Sequence, residues 1–278
     1  MGASPNLLLE LLVEELPPKA LRKLGEALAQ SLLASLKAQG LTDAQSVVTA
    51  YASPRRLAAH ITQVAPRAAD RPVRQKLMPV SVGLDTQGQP TPALLKKLQA
   101  LGVTDSASAV AALQRAPDGK ADALFYDSVA PGVDLASGLQ KALDEALAKL
   151  PIPKVMQYQL HSDCELPGWS SVNFVRPAHG LIALHGDQVV PVAALGLRAG
   201  RQTRGHRFEA QREVIEIADA DAYARTLLTQ GSVIAHFDER RAEIARQLAG
   251  AAAQVGGGDR KSTRLNSSHE WISRMPSS

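Results

Sequence analysis

The sequence is poor in several residues that particular functions require. It has a single cysteine, Cys164, so a disulfide within the chain is excluded and a reducing compartment is expected. Aromatic residues make up only 4% of the chain, which argues against a stacking platform for several unpaired bases. The first apolar run, residues 7–13, is short and interrupted by Glu10, which predicts neither a signal peptide nor a membrane span. We therefore expect a cytoplasmic protein without membrane attachment.

The signature motifs of several enzyme classes are also missing. The chain has no Gly-x-x-x-x-Gly-Lys-Ser/Thr loop, no Gly-x-Gly-x-x-Gly after a strand and no Gly-x-Ser-x-Gly turn. His161, Cys164 and Glu165 are close in sequence, but no second cysteine or matched histidine pair completes a zinc pattern. The sequence therefore predicts no catalytic residue, no metal site and no complete active site in this chain.

The net charge of +4 is unevenly distributed along the sequence. Residues 260–278 hold four basic side chains against Glu270, whereas the rest of the chain is nearly neutral. Any contact with nucleic acid must therefore come from a local basic patch. Residues 259–278 also lack an apolar period and are rich in Ser and Arg. We interpret them as a foreign tail, with a disordered linker as the alternative.

Hydrophobic periodicity predicts an α+β fold. The predicted elements are strand 7–13, a helix from Pro18 to Gly40, strands 46–52 and 57–64, an irregular segment 65–89, helix 92–101, strand 124–129, helix 136–150, a long loop 151–178, a hairpin of 181–184 with 188–195, strand 214–217, and helices 218–230 and 238–254. We expect residues 6–215 to form a mixed or antiparallel sheet with packed helices. A helical segment over residues 216–258 should follow.

The densest polar constellation lies in residues 197–208, where four arginines and His206 occur together with two glycines. Guanidinium groups bind phosphate through two parallel hydrogen bonds, and glycine allows backbone N–H groups to approach a ligand. This composition fits a contact with phosphate or with an RNA backbone. It also fits a charged, solvated loop, and composition alone leaves both interpretations open.

Three shorter motifs carry the same ambiguity. Arg55 and Arg56 lie in a tight turn, where they fit a surface ion pair better than a phosphate site. Glu14 and Glu15 lie between a strand and a helix, and carboxylates there favour a helix N-terminus more often than acid–base chemistry. The segment 174–180 places an arginine and a histidine before a buried strand, which fits a site residue and a structural histidine equally well.

Six segments, in order along the chain, resemble the β subunit of bacterial two-subunit glycyl-tRNA synthetases. They are residues 13–22 (VEELPPKALR), 53–58 (SPRRLA), 150–156 (LPIPKVM), 174–177 (FVRP), 203–208 (TRGHRF) and 231–235 (GSVIA) with the following 239–241 (ERR). Each segment alone is modest, but six in family order make coincidence improbable. The resemblance covers residues 6–258 and corresponds to the N-terminal part of such a subunit.

The resemblance implies a role in a heterotetramer of two α and two β subunits that charges tRNA with glycine at the expense of ATP. In that family the α subunit binds ATP, with Mg²⁺, and glycine, so no cofactor is expected on this chain. The implied partners are the α subunit, tRNA(Gly) and the second β subunit. The N-terminal region is similar to the B3/B4-type module of phenylalanyl-tRNA synthetase β subunits, which is also α+β.

The site hypothesis combines the resemblance with the basic motifs. The candidate residues for contact with tRNA or phosphate are Arg55, Arg56, Lys154, Arg176, Arg204, His206 and Arg207. They would touch the tRNA backbone or hold the β subunit together, and this chain alone would be inactive as a ligase. Two alternatives stay open: a stand-alone RNA-binding module, and a hydrolase that edits mischarged tRNA. Burial of Arg204 and Arg207 against carboxylates would instead make them structural.

Overall fold

The structure is a computed structural model that describes residues 5–85, 87–101, 106–118, 121–159 and 171–254. The chain forms two compact units. The main unit combines Met1–Ala68 with Val133–Ser278, and the inserted unit is Ala69–Gly132. The sequence pattern did not predict this insertion. The boundaries predicted at residues 215 and 258 stay predictions, and the predicted foreign tail lies outside the described residues.

The described residues contain the following elements. The strands are β1 (Leu7–Val13), β2 (Val48–Ser53), β3 (Arg56–Ile61), β4 (Arg71–Pro79), β5 (Gln114–Asp118), β6 (Ala121–Ala130), β7 (Met156–Gln159), β8 (Ser171–Phe174), β9 (Ala178–His185), β10 (Gln188–Val189), β11 (Ala193–Ala194), β12 (Leu197–Arg198), β13 (Gln202–Thr203) and β14 (Ile215–Glu216). The helices are α1 (Pro18–Ala38), α2 (Val80–Gly83), α3 (Pro92–Ala100), α4 (Ser106–Ala111), α5 (Leu135–Lys149), α6 (Tyr223–Gly231) and α7 (Phe237–Gln254).

A five-stranded antiparallel sheet with the order β10-β9-β1-β3-β2 forms the centre of the main unit. Strand β1 is central because it consists almost entirely of leucine, and all seven of its residues are buried. Successive side chains of a strand point to opposite faces, so a run that is apolar at every position except Glu10 fits a strand that is covered on both sides. The predicted α+β fold with an antiparallel sheet and packed helices is confirmed.

Helices α1 and α5 cover one face of this sheet. In α1, Leu21, Leu24, Leu28, Leu32 and Leu36 follow the steps of three and four that predicted the helix, and all five are buried. Pro18 occupies the first turn, where its missing N–H costs no hydrogen bond. The helix ends at Ala38, and Gly40 has the positive φ of 77° that glycine adopts without strain.

The opposite face of the sheet carries a smaller core. Leu8 of β1 packs there with Ile182 and Leu184 of β9, and with Tyr223 and Leu227 of α6. The predicted helical segment near the C-terminus is confirmed by α6 and α7, although α6 begins at Tyr223 and not at residue 218. The intervening residues form a turn because the Asp219 carboxylate accepts hydrogen bonds from the backbone N–H groups of Asp221 and Ala222.

The inserted unit corrects the sequence interpretation of residues 65–89. That segment was expected to be irregular because it is rich in proline and charge, but it contains strand β4 and the short helix α2. Strand β4 pairs with β6, which also pairs with β5, in a three-stranded antiparallel sheet. Leu94 and Leu98 of α3 and Leu124 of β6 form its buried core.

Two further corrections concern the second half of the chain. The segment 151–178 was expected to be a loop, but β7 and β8 pair within it. The predicted strand 188–195 is shorter: only β10 pairs with β9, and β11 pairs with β12 instead. None of the helices among the described residues is long and apolar enough to cross a membrane.

Candidate functional site

A cleft of about 600 Å³ opens in the main unit where strand β1 ends and strands β3 and β9 begin. We call it the basic cleft. It is lined by Leu12, Glu14, Arg55, Arg56, His179, Arg204, Gly205, His206, Arg207, Ala210, Arg212 and Glu213. Five of these residues are arginines, whereas only two are glutamates. The cleft is therefore electropositive, and a concave surface concentrates this field.

The sheet register explains why motifs that are distant in sequence meet at this end of the strands. Leu12, near the end of β1, pairs with Arg56 at the start of β3 and with Gly180 near the start of β9. Beyond the paired residues, the backbone N–H of Val13 donates to the carbonyl of Arg55 at 2.8 Å. Antiparallel neighbours bring the end of one strand beside the start of the next. The Arg55–Arg56 turn therefore lies beside Glu14.

Residues 204–213, which we call the basic loop, connect the short strands β13 and β14. The loop is fixed on the C-terminal end of α6. The N–H of His206 donates to the carbonyl of Gly231 at 2.7 Å, and the N–H of Gln211 donates to the carbonyl of Gln230 at 2.9 Å. These bonds satisfy carbonyls that the last turn of a helix leaves without an intrahelical partner.

Gly205 allows the basic loop to approach α6 this closely. A Cβ atom on Gly205 would lie 2.5 Å from the Cα of Gly231 and 2.6 Å from its carbonyl oxygen. These backbone atoms cannot move aside as the end of a flexible side chain could. The glycine is thus required by the contact between the loop and the helix.

Four buried polar residues lie beneath the basic cleft, and we call them the buried quartet: Glu10, Arg56, Thr203 and Tyr223. The hydroxyl groups of Thr203 and Tyr223 each donate a short hydrogen bond to a different carboxylate oxygen of Glu10. Burial, followed by the nearby Glu10 charge, raises the pKa of Tyr223 well above its usual range. The phenol therefore stays protonated and acts as a donor.

Arg56 connects the buried quartet with the basic cleft. Its side chain is 2% exposed, and its Nε lies 3.6 Å from a Glu10 oxygen, which is an ion pair without a hydrogen bond. Its Nη2 donates a short hydrogen bond to the carbonyl of Arg204. Its Nε and Nη1 have no acceptor within the described part of the chain. The guanidinium is thus held in place while part of its donor capacity is unused.

Glu14 joins two cationic groups in the wall of the basic cleft. Arg55 Nη2 lies 3.3 Å from both Glu14 carboxylate oxygens. The ring nitrogen Nε2 of His179 lies 2.9 Å from Glu14 Oε1. All three side chains are partly exposed. The arrangement is that of a histidine oriented by a carboxylate, with an arginine beside it.

Arg204 and Arg207 differ from Arg55 in their surroundings. Both are exposed, and neither has a carboxylate within ion-pair distance among the residues that the structure describes. The ring of His206, which lies between these two arginines in sequence, is held by the backbone. Its Nδ1 accepts hydrogen bonds from the N–H groups of Phe208 and Glu209 at 3.3 and 3.2 Å. In the neutral ring this acceptor role leaves the proton on Nε2. Arg204 and Arg207 are therefore not in the buried ion pairs that would make them structural.

The comparisons with known proteins identify the family. The family model described as glycyl-tRNA synthetase beta subunit matches residues 7–270. The chain belongs to this family. The glycine–tRNA ligase beta subunit of Polaromonas naphthalenivorans (strain CJ2) is 69% identical over 91% of this chain and 36% of its own length. That of Paracidovorax citrulli (strain AAC00-1) is 67% identical over 92% of this chain and 36% of its own length. The chain thus spans little more than a third of the curated relatives it matches.

Three of the six family motifs quoted from the sequence contribute residues to the basic cleft. Segment 13–22 contributes Glu14, segment 53–58 contributes Arg55 and Arg56, and segment 203–208 contributes the start of the basic loop. The resemblance predicted from these motifs is confirmed by the family match. The similarity to a B3/B4-type module stays a prediction.

The structure brings together five of the seven candidate residues but separates two. Arg55, Arg56, Arg204, His206 and Arg207 all line the basic cleft. The other two do not line it: Lys154 is an exposed residue before β7, and Arg176 donates from Nε to the backbone carbonyl of Glu15 at 2.9 Å. A binding role for any of the seven stays a prediction.

Sequence reasoning missed most of the buried quartet. Glu10 had a usable signal, because a carboxylate in the middle of a leucine strand must find buried partners. Thr203 and Tyr223 had no such signal, since threonine and tyrosine are common in strands and cores. His161, Cys164 and Glu165, whose metal-binding potential was considered, lie outside the described residues. The described residues contain no group of three His, Cys, Asp or Glu side chains placed to hold a metal ion.

Proposed function

We propose that this chain is part of the β subunit of a glycine–tRNA ligase and that the basic cleft binds the sugar-phosphate backbone of tRNA. The observation that carries the proposal is the charge of the cleft. Five arginines line it against two glutamates, and Arg204 and Arg207 are exposed without a carboxylate partner in the described residues. Guanidinium groups in such a setting are free to bind phosphate oxygens through paired hydrogen bonds.

The proposed overall reaction joins glycine to tRNA(Gly) with conversion of ATP to AMP and pyrophosphate. The proposed partners are the α subunit, which would bind ATP, Mg²⁺ and glycine, and a second β subunit. This chain would bind none of these small molecules, and its contribution would be tRNA recognition and assembly. In support, the family match names a β subunit, and the chain lacks the phosphate-loop and dinucleotide motifs.

The two candidate residues outside the cleft are assigned different parts of this role. The contact between Arg176 and the Glu15 carbonyl fastens the start of β9 to the segment before α1, which suits structural support of the site. Lys154 is exposed, and we propose that it extends the contact with RNA beyond the cleft.

A binding experiment tests the RNA contact directly. The affinity of this chain for tRNA(Gly) would be measured at several salt concentrations for the wild type and for the double variant Arg204→Ala/Arg207→Ala. Each lost phosphate contact should reduce the slope of log affinity against log salt by about 0.7–0.9. Arg198→Ala is the matched control, because Arg198 is exposed on β12 outside the cleft. Unchanged affinity and slope in the double variant would exclude the RNA contact.

A charging experiment tests the role in the ligase. Residues 7–254 of this chain would replace the matching segment of the Polaromonas naphthalenivorans β subunit, and the chimera would be combined with that organism's α subunit, ATP, glycine and tRNA(Gly). Lost charging with intact assembly in the double variant would support the tRNA contact. Lost charging with lost assembly would make the two arginines structural, and full charging would contradict their role.

A second candidate function, an editing hydrolase, is favoured by the Glu14–His179 contact. A histidine oriented by a carboxylate can act as a general base toward a water molecule that attacks an aminoacyl ester. Release of the amino acid from alanyl-tRNA(Gly) would be measured with the wild type and with His179→Ala. Release no faster than in buffer would remove this candidate. Family membership argues against the third alternative, a stand-alone RNA-binding module.

A further inference from the structure

We infer that the basic cleft binds a phosphate monoester, and that in tRNA this group is the 5′-terminal phosphate. The assignment to tRNA rests on the proposed function. The monoester preference does not, because it follows from the groups that form the cleft.

The first argument is the incompletely compensated charge of Arg56 in the floor of the cleft. Both oxygens of its partner Glu10 accept hydrogen bonds from hydroxyl groups, and the nearest one lies 3.6 Å from Arg56 Nε. Nε and Nη1 of Arg56 have no acceptor in the described residues although the side chain is 2% exposed. A charge that is poorly screened by water attracts an anion in the adjacent cleft more strongly than a surface charge does.

The second argument is the set of donors in the wall. Arg55 Nη2 is held by Glu14 and its Nε is buried, so Arg55 contributes charge to the wall and not a free donor. His206 offers Nε2–H, because its Nδ1 already accepts two backbone hydrogen bonds. The exposed guanidinium of Arg207 adds further donors from the same basic loop. They suit a ligand with several acceptor oxygens around one centre.

A phosphate monoester matches this site better than a phosphodiester. Near pH 7 a monoester carries about −1.5 to −2 charges and three terminal oxygens, whereas a diester carries one charge on two oxygens. The five arginines exceed the two glutamates of the lining and the buried Glu10 by two, so the more highly charged group gains more. A volume of about 600 Å³ is also of the size that holds one small group, such as the phosphate at the end of a strand.

Two sources supply this chemistry. Mature tRNA carries a phosphate monoester at its 5′ end, and free nucleoside 5′-monophosphates carry the same group. The experiment compares tRNA(Gly) bearing a 5′-phosphate with the same tRNA treated with phosphatase to leave a 5′-hydroxyl. A competition arm with AMP distinguishes the free nucleotide.

The expected result is that the 5′-phosphate form binds the wild-type chain about tenfold more tightly, the effect of one charge-assisted contact. Arg207→Ala should reduce this ratio toward one, while the matched Arg198→Ala should preserve it. Arg207 is chosen because it is exposed, whereas replacement of Arg56 would also disturb the buried quartet.

The outcomes separate this inference from the proposed function. Equal affinity of both tRNA forms for the wild type overturns the monoester site, even if Arg204→Ala/Arg207→Ala weakens tRNA binding and so supports the backbone contact. An unchanged ratio in Arg207→Ala also overturns it. Binding of AMP that is weakened in Arg207→Ala, without any binding of tRNA, supports the monoester site and refutes the proposed function.

Discussion

Replacement of Glu10 by glutamine tests whether the buried quartet stabilises the main unit. Glu10 is 1% exposed in the central strand, where it faces Ala58 on β3 and Ile182 on β9. Glutamine has nearly the same shape and can still accept one hydroxyl hydrogen bond. The substitution therefore removes the negative charge and leaves the Arg56 guanidinium buried without a counter-charge.

The expected loss of unfolding free energy in Glu10→Gln follows from this burial. Removal of one partner of a buried ion pair costs about 3–5 kcal/mol, because the remaining charge stays desolvated. Domains of this kind have unfolding free energies of about 5–15 kcal/mol, so the loss is a large part of the total. With a urea dependence of about 2 kcal/mol per molar, the unfolding midpoint should fall by roughly 1.5–2.5 M.

Urea unfolding followed by circular dichroism measures this shift. Glu14→Gln is the matched control, since its carboxylate is 40% exposed and also faces an arginine. Exposed ion pairs contribute about 0–1 kcal/mol, so its midpoint should move by less than about 0.5 M. The double variant Glu10→Gln/Arg56→Gln should recover part of the loss, because no charge is then left buried.

The reasoning fails if Glu10→Gln and Glu14→Gln shift the midpoint equally. It also fails if the double variant loses more unfolding free energy than the two single variants lose together. Either result would mean that the Glu10 carboxylate does not compensate the Arg56 charge in the folded protein.

Three further predictions concern Gly205 of the basic loop, Tyr223 of the buried quartet, and Asp221, which accepts a hydrogen bond from Asn6. Gly205→Ala should lower the unfolding free energy by about 1–3 kcal/mol through overpacking against α6, whereas Gly200→Ala, which has open space around its Cβ position, should change it by less than about 0.5 kcal/mol in the same urea assay. Because the pKa of Tyr223 is raised in the folded state, the unfolding free energy should fall as pH rises above about 10, and Tyr223→Phe should flatten that fall. A hydrogen bond from Asn6 lowers the pKa of Asp221, so the stability it contributes should be lost as pH falls below about 4, and thermal unfolding of Asp221→Asn should depend less on acid pH.

The sequence predicted those elements whose own residues carry the signal. The leucines of β1 and α1 are buried because their spacing presents one or two continuous apolar faces, and proline and glycine mark the ends of α1. Strand β4 was missed for the complementary reason. Six of its nine residues are exposed and three are basic, and only pairing with β6 makes it a strand.

The sequence by itself determined the family, the α+β class and the basic character of residues 203–208, because these depend on local composition and order. Only the tertiary structure decided which groups form the site. Glu10 meets Tyr223 across 213 positions of the chain, and Arg56 meets the Arg204 carbonyl across 148. No local pattern encodes such contacts. They arise when antiparallel pairing places the end of β1 and the start of β3 side by side, next to the basic loop.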